Sequence, residues 1–238
     1  DALEEWFDRQ LRILGSDADA WLAELVETTR SLASQFQWKR EFEALEEFVR
    51  ALKGKPSAYK PNTVLVRARA AGRPYDPERI QLFDELKATL ASETFRKLPA
   101  PPVSELENRA FWEAYFSNYI EGTQFSVEEA QEIVKETDIA KALKRNRPED
   151  AHDIIETYRL IVDSGISGKV ATSPQRYIEQ IKIRHARMMA TRADVLPGEF
   201  KVRNNEVGSR VFVRPELVNE TLSRGWQSGR DLNSATAR

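Results

Sequence analysis

The sequence predicts an all-α protein carrying one β-hairpin. Apolar residues recur at helical spacing along most of the chain, and residues that start or stop helices stand at the ends of those runs. A single segment, near residue 200, alternates apolar and polar with a period of two. With 238 residues, 41% hydrophobic and 31% charged, the chain suffices for one large or two modest domains with a proper core. No apolar run approaches the roughly 18 residues of a membrane span and no signal-like start is present, so no membrane partner and a cytoplasmic location are expected. The absence of cysteine excludes disulfides and thiolate metal sites, and two histidines, His152 and His185, leave little for a zinc centre or a histidine-based triad. A net charge of −2 with interleaved signs sets up no field for nucleic acid.

Residues 1–53 read as three helices. Leu3, Trp6, Phe7, Leu11 and Leu14 form the first stripe, closed by Gly15; Ser16 or Asp17 caps a second helix with Trp21, Leu22, Leu25, Val26, Leu32 and Phe36 inward. Phe42, Leu45, Phe48, Val49 and Leu52 mark the third, and short connections make the three an antiparallel bundle with Trp6 and Trp21 in its core. Lys53–Asn62 (KGKPSAYKPN) reads as a linker and domain boundary. Val64 and Val66 hint at a short strand, and Asp76-Pro77-Glu78 starts a helix whose buried side is Ile80, Phe83, Leu86 and Leu90. Leu98–Pro102 is a stiff extended connector.

The next stretch, Asn108–Gly122, organises the rest. Trp112, Tyr115, Phe116, Tyr119 and Ile120 recur as the stripe of a helix pressed on a core, and Ser117 and Glu121 emerge one turn apart on the less apolar flank, ahead of a helix-ending Gly122. Ser126 and Glu129 form a capping box for a helix with Val127, Ala130, Ile133 and Val134 inward. Lys135–Arg147 is a polar connection. Pro148-Glu149-Asp150 opens a long helix with Ala151, Ile154, Ile155, Tyr158, Ile161 and Val162 on one side, leaving His152 as a surface or cap histidine. Ser173-Pro174 starts another, in which His185 has a packing role. Phe200, Val202, Val211 and Val213 then alternate with polar residues about a turn at Asn204-Asn205, so 197–215 reads as a hairpin whose unpaired edges suit an extended peptide. Pro215 opens a last helix through Val218, Leu222 and Trp226. Gly165 and Gly168 lack the lysine and preceding strand of a nucleotide-binding loop.

Taken in order, the Ser-x-x-x-Glu-Gly helix, the capped helix after it, the two long helices, Pro197-Gly198-Glu199-Phe200-Lys201 and the hairpin closing in Phe212-Val213-Arg214-Pro215 resemble a Fic (Fido) domain over about Leu98 to Trp226. The resemblance implies a mainly helical fold and a protein adenylyltransferase, which moves AMP from ATP to a hydroxyl side chain of a target protein. It implies that Ser117, Glu121 and Gly122 belong to an inhibitory helix whose glutamate pairs with an active-site arginine. It further implies that Phe200, Lys201, Val202, Val211, Phe212 and Val213 form a flap holding the target segment by strand addition, and that ATP and Mg serve the complete enzyme. Lys201 stands where the family often has arginine.

The family's catalytic loop, His-Pro-Phe-x-[Asp/Glu]-Gly-Asn-Gly-Arg, is absent from these residues: His152 is followed by Asp-Ile-Ile and His185 by Ala-Arg-Met. No catalytic or metal residue is therefore assigned. The chain starts at Asp1 and its methionines, Met188 and Met189, are internal, which leads us to expect a piece of a longer enzyme. The competing reading is a non-catalytic interaction protein, or an antitoxin-like regulator acting on a separate Fic chain. The expected division is a helical module over 1–55, a linker and connecting helix over 56–97, and an incomplete Fic-like domain over 98–238. A homodimer through the helical faces is compatible with the sequence.

Overall fold

Apolar periodicity and well-formed helix starts produce a mostly helical chain in the computed structural model, which describes residues 2–93, 102–136, 141, 147–167, 171–208 and 210–230. The helices are α1 (Ala2–Leu14), α2 (Ala18–Phe36), α3 (Lys39–Leu52), α4 (Val64–Ala70), α5 (Pro77–Ser92), α6 (Val103–Ile120), α7 (Val127–Lys135), α8 (Pro148–Ser167), α9 (Pro174–Met188) and α10 (Pro215–Gly229). A minimal antiparallel hairpin pairs β1 (Glu206–Val207) with β2 (Arg210–Val211). Leu98–Pro101 of the expected connector and most of the 135–147 connection lie outside the described residues. Among the described residues no helix is long and apolar enough to cross a membrane.

Two units result: Asp1–Thr89 with Lys201–Asp231, and Leu90–Phe200. This differs from the expected division, since 56–89 joins the N-terminal helices and the last helix returns to them. In the first unit Phe7, Leu11, Leu22, Phe48, Val49, Leu52 and Val66 form the core. Leu3 and Trp6 of the expected α1 stripe are exposed, as are Leu32 and Phe36 of α2. The buried face of α1 is instead Glu4, Phe7, Asp8 and Leu11, which has helical spacing but contains two acids.

Those acids explain why the stretch that reads as a linker is part of the fold. Glu4, 0% exposed, accepts hydrogen bonds from the Tyr59 hydroxyl (2.7 Å), the Asn62 N–H (2.8 Å), the Thr63 N–H (2.6 Å) and the Thr63 hydroxyl (2.7 Å). Glu47 of α3 binds the same stretch, taking the Ala58 N–H (2.6 Å) and the Ser57 hydroxyl (2.9 Å). Asp8 divides its two oxygens between Arg69 (2.8 Å) and Arg12 (3.0 Å).

Thr63 also corrects the strand suggested at Val64 and Val66. Its backbone is extended and its hydroxyl accepts the Val66 N–H (3.3 Å), so it caps a helix that overrides the β-branched bias of the two valines. The apolar side expected of α5 is not buried: Leu86 is exposed, and Ile80, Phe83 and Leu90 are half-buried. The Arg73 guanidinium grips buried Glu220 of α10 through two bonds of 3.1 Å, and the Asp76 N–H donates to Thr221 (2.9 Å). Gly225 lets α10 lie close to α5, because a Cβ there would sit 2.6 Å from the Phe83 ring.

In the second unit α8 is the central helix, packed by α6, α7 and α9. Phe111, Ala114, Ala130, Ile133, Ala151, Ile154 and Ile155 make its core. The capping box forms as the sequence indicates, with the Glu129 N–H donating to Ser126 Oγ (3.1 Å) and the Ser126 N–H to Glu129 (3.0 Å).

Burial alone would raise the Glu4 carboxyl, but its four hydrogen bonds bring the pKa from an ordinary 4.5 down to about 2. Between those values the unfolded chain binds the extra proton, so stability contributed by Glu4 is full above 4.5 and lost as pH falls toward 2. The urea midpoint of the N-terminal unit is expected to fall over that window. Glu4→Gln, which turns an amide toward two backbone donors, is expected to flatten the profile and to cost about 3 kcal/mol at neutral pH.

Candidate functional site

The residues that the resemblance marks as inhibitory, Ser117, Glu121 and Gly122, lie at the C-terminal end of α6. The helix stops there because Gly122 takes φ +99, a left-handed conformation open to glycine. The Gly122 N–H donates to the Tyr119 carbonyl (3.1 Å) and the Thr123 N–H to the Asn118 carbonyl (3.0 Å), a Schellman closure that fixes the turn. Ser117 and Glu121 are both exposed on this turn, and among the described residues neither side chain has a hydrogen-bond or ion-pair partner.

The face of α6 that meets the core is not the aromatic one. Leu106, Ala110, Phe111 and Ala114 are buried, with Ala110 and Ala114 of α6 and Ala151 of α8 all at 0% exposure. Small side chains let α6 and α8 approach closely, and that contact turns the larger residues outward. Trp112 is 37%, Phe116 55%, Tyr119 55% and Ile120 81% exposed, which corrects the expectation that this stripe is pressed on a core. The rings cover one another instead: Trp112 stacks on Phe116 at 5.6 Å and Tyr115 on Tyr119 at 6.1 Å. Tyr115 is held by a bond from its hydroxyl to the Phe125 carbonyl (3.1 Å).

The flap residues adopt a smaller hairpin than the alternation suggests. The strands are two residues each, in the register Glu206↔Val211 and Val207↔Arg210, extended by the Phe212 N–H donating to the Asn205 carbonyl (3.2 Å). The strands turn after Val207 rather than at Asn204-Asn205, because Gly208 supplies the positive φ of +61 that a tight hairpin loop needs. Phe200 and Val202 are therefore outside the strands. Val202 and Phe212 are exposed, Val213 is half-buried, and the side chain of Val211 lies outside the described residues. Lys182 sits 5.4 Å from the Phe200 ring centre, and Lys201 bonds Asn205 and lies 5.8 Å from that of Phe212. Burial lowers the Lys201 pKa, with Glu216 opposing.

His152 is a correction of a different kind. It is 7% exposed, inside the run 151–156 of α8 that is buried on every side. Its Nδ1 lies 3.9 Å from Asp153 Oδ1, and neither atom has a hydrogen-bond partner. His185 has the packing role expected of it, accepting the Gly198 N–H at Nδ1 (3.0 Å).

Periodicity of apolar residues missed the acidic ladder on the other side of α8. Arg192 bridges Asp153 (2.7 Å), Asp150 (2.7 Å) and Glu149 (3.4 Å), while Arg187 binds Glu156 (2.9 Å). The acids at 149, 153 and 156 have helical spacing, a signal available in the sequence but indistinguishable there from a solvated face. Burial pushes the Asp153 carboxyl above its ordinary value against the pull of Arg192, and the bond that Arg192 donates to Asp153 raises the guanidinium above its own.

Among the described residues no group of three or more histidine, cysteine or acidic side chains could hold a metal ion. Comparison with family models, curated proteins and solved structures finds no match for the chain.

Removing Arg192 leaves a buried acid without its cation, so Arg192→Leu is expected to destabilise the second unit by about 3 kcal/mol at neutral pH. The loss should shrink at acidic pH, where the raised Asp153 carboxyl takes up a proton before an ordinary one does. Urea titrations of wild type and variant at the two pH values measure both effects.

Proposed function

We propose that this chain carries the regulatory helix and target flap of a Fic-type protein adenylyltransferase, with Glu121 as the inhibitory group. The observation that carries the reading is the exposed carboxylate of Glu121, on a glycine-closed turn and with no cation among the described residues. Such a carboxylate is free to take an arginine fork. While it does so it occupies the bidentate site that a phosphate oxygen of ATP needs, and the two compete. Ser117, one turn back, can hold the pairing in register.

The catalytic loop is absent from the 238 residues. The general base, the metal-binding acid and the arginine therefore have to come from outside them, and ATP and Mg are assigned to no residue of this chain. The short hairpin, with Phe212 exposed beside it, offers a target peptide an edge to extend, and Phe200, Lys201, Val202, Val211 and Val213 complete the flap in this reading.

The exposed aromatic face of α6, ending at Glu121, favours a second reading in which the chain regulates a separate Fic enzyme without catalysing. That reading expects co-purification with a distinct Fic-domain chain.

The test uses the complete gene product, wild type and Glu121→Gly, incubated with ATP labelled on its α-phosphate. Strong labelling of protein by the variant and weak labelling by wild type are expected. Absence of label from both, in the presence of Mg, would overturn the enzyme reading.

A further inference from the structure

We propose that His185 is an acid-released latch: as a neutral imidazole it clamps the turn 196–200 onto α9, and its protonation lets that turn go. The turn ends the main run of the second unit, and the chain passes from it into the first unit at Lys201. Release therefore adds free chain to the connection between the two units. Neither Glu121 nor the flap assignment enters this argument.

The turn is wound against its own preference. Leu196 takes φ +52, and a left-handed leucine is strained because its Cβ crowds the following carbonyl oxygen. Burial does not account for that conformation, since Leu196 is 46% exposed. Strain of this kind persists only where the surroundings impose it, and three contacts with α9 do so. His185 Nδ1 accepts the Gly198 N–H at 3.0 Å. Lys182 pairs with Glu199 at 2.8 Å and lies 5.4 Å from the Phe200 ring centre. Gly198 approaches the helix so closely that a Cβ on it would stand 3.1 Å from the Cβ of Ala186. Of the groups in these contacts, only the imidazole belongs to a residue type that changes charge between pH 5 and 8.

The chemistry of the bond sets the direction. An imidazole that accepts at Nδ1 is neutral and carries its proton on Nε2, whereas an imidazolium donates at both nitrogens and would set an N–H against that of Gly198. The acids that could hold the imidazolium in place are already engaged or stand in water. Glu199 of the turn is taken by Lys182. On α8, which packs against α9, Glu156 is taken by Arg187 and Arg159, Asp163 by Arg187, and Asp150 and Asp153 by Arg192. Glu179 of α9 and Asp194 ahead of the turn are exposed. Lys182, one turn back on the same helix, repels a further positive charge. Acid therefore removes the clamp and leaves the strained turn to open.

Amide hydrogen exchange of the whole chain, read by NMR and divided at each pH by the intrinsic rate, tests the latch. The Gly198 N–H is expected to lose at least about fivefold of its protection as the His185 ring titrates between pH 8 and pH 5.5, the ~1 kcal/mol net worth of one hydrogen bond. The amides of Ile133 and Ile154, in the core of the same unit, are expected to keep theirs, which separates release of the turn from acid unfolding. His185→Asn offers Gly198 a carboxamide oxygen that does not titrate, and is expected to keep that amide protected at both ends of the range. Should the variant not fold, the wild-type measurement decides alone. Protection of Gly198 that stays constant while the ring titrates, that falls only together with Ile133 and Ile154, or that falls in His185→Asn as it does in wild type, would overturn the proposal.

Discussion

The buried carboxylate of Glu4 decides what belongs to the N-terminal unit. A charge taken out of water is costly unless it is fully hydrogen-bonded, and Glu4 finds its four donors at Tyr59, Asn62 and Thr63. Those residues are thereby held against α1, and the Pro- and Lys-bearing stretch before them cannot act as a tether. Thr63 does two things at once, since the hydroxyl that donates to Glu4 also accepts the Val66 N–H and starts α4. Arg69 then reaches Asp8 one turn further along α1. Two acids on one helix face thus order a segment that contributes Val66 to the apolar core and packs Tyr59 against it.

The same logic operates in the second unit with different partners. Helix α8 is buried around its whole circumference over residues 151–156, which an apolar stripe alone could not achieve. One side is satisfied by alanine and isoleucine against α6 and α7, the other by Arg187 and Arg192 closing on Asp153 and Glu156. The alanine contact has a consequence outside the core. By drawing Ala110 and Ala114 inward it rotates α6 so that Trp112, Phe116 and Tyr119 face water, and Ser117 and Glu121 with them.

What could be read in the sequence follows from these two packings. Helix starts were legible where a capping side chain acts on its own backbone, as at Ser126 and Ser173, because that chemistry is local. Helix faces were less legible. Ranking by hydrophobicity selected Trp6 in α1 and the aromatics in α6, whereas the structure buries Glu4 and Asp8 in the one and two alanines in the other. The deciding partners, Thr63 and Ala151, lie far away in sequence and no local window contains them. The hairpin turn was misplaced because Asn204-Asn205 and Gly208-Ser209 both suit a turn, and only pairing across the strands discriminates between them. His152 fell on the polar side of a one-sided stripe, and the structure buries that side as well, over the whole run 151–156.

For the role proposed for Glu121, the relevant constraint is that an inhibitory acid must not be satisfied at home. Elsewhere in this chain acids that matter to the fold are engaged by cations or backbone donors, as Glu4, Asp8, Asp153, Glu156 and Glu220 are. Glu121 differs in that it sits at the carbonyl end of a helix, where a negative charge is disfavoured by the local dipoles, and it has no compensating partner among the described residues. On the proposed reading, an incoming guanidinium would relieve the helix-end repulsion at the turn that closes at Gly122 and complete a charge-assisted pair in one step.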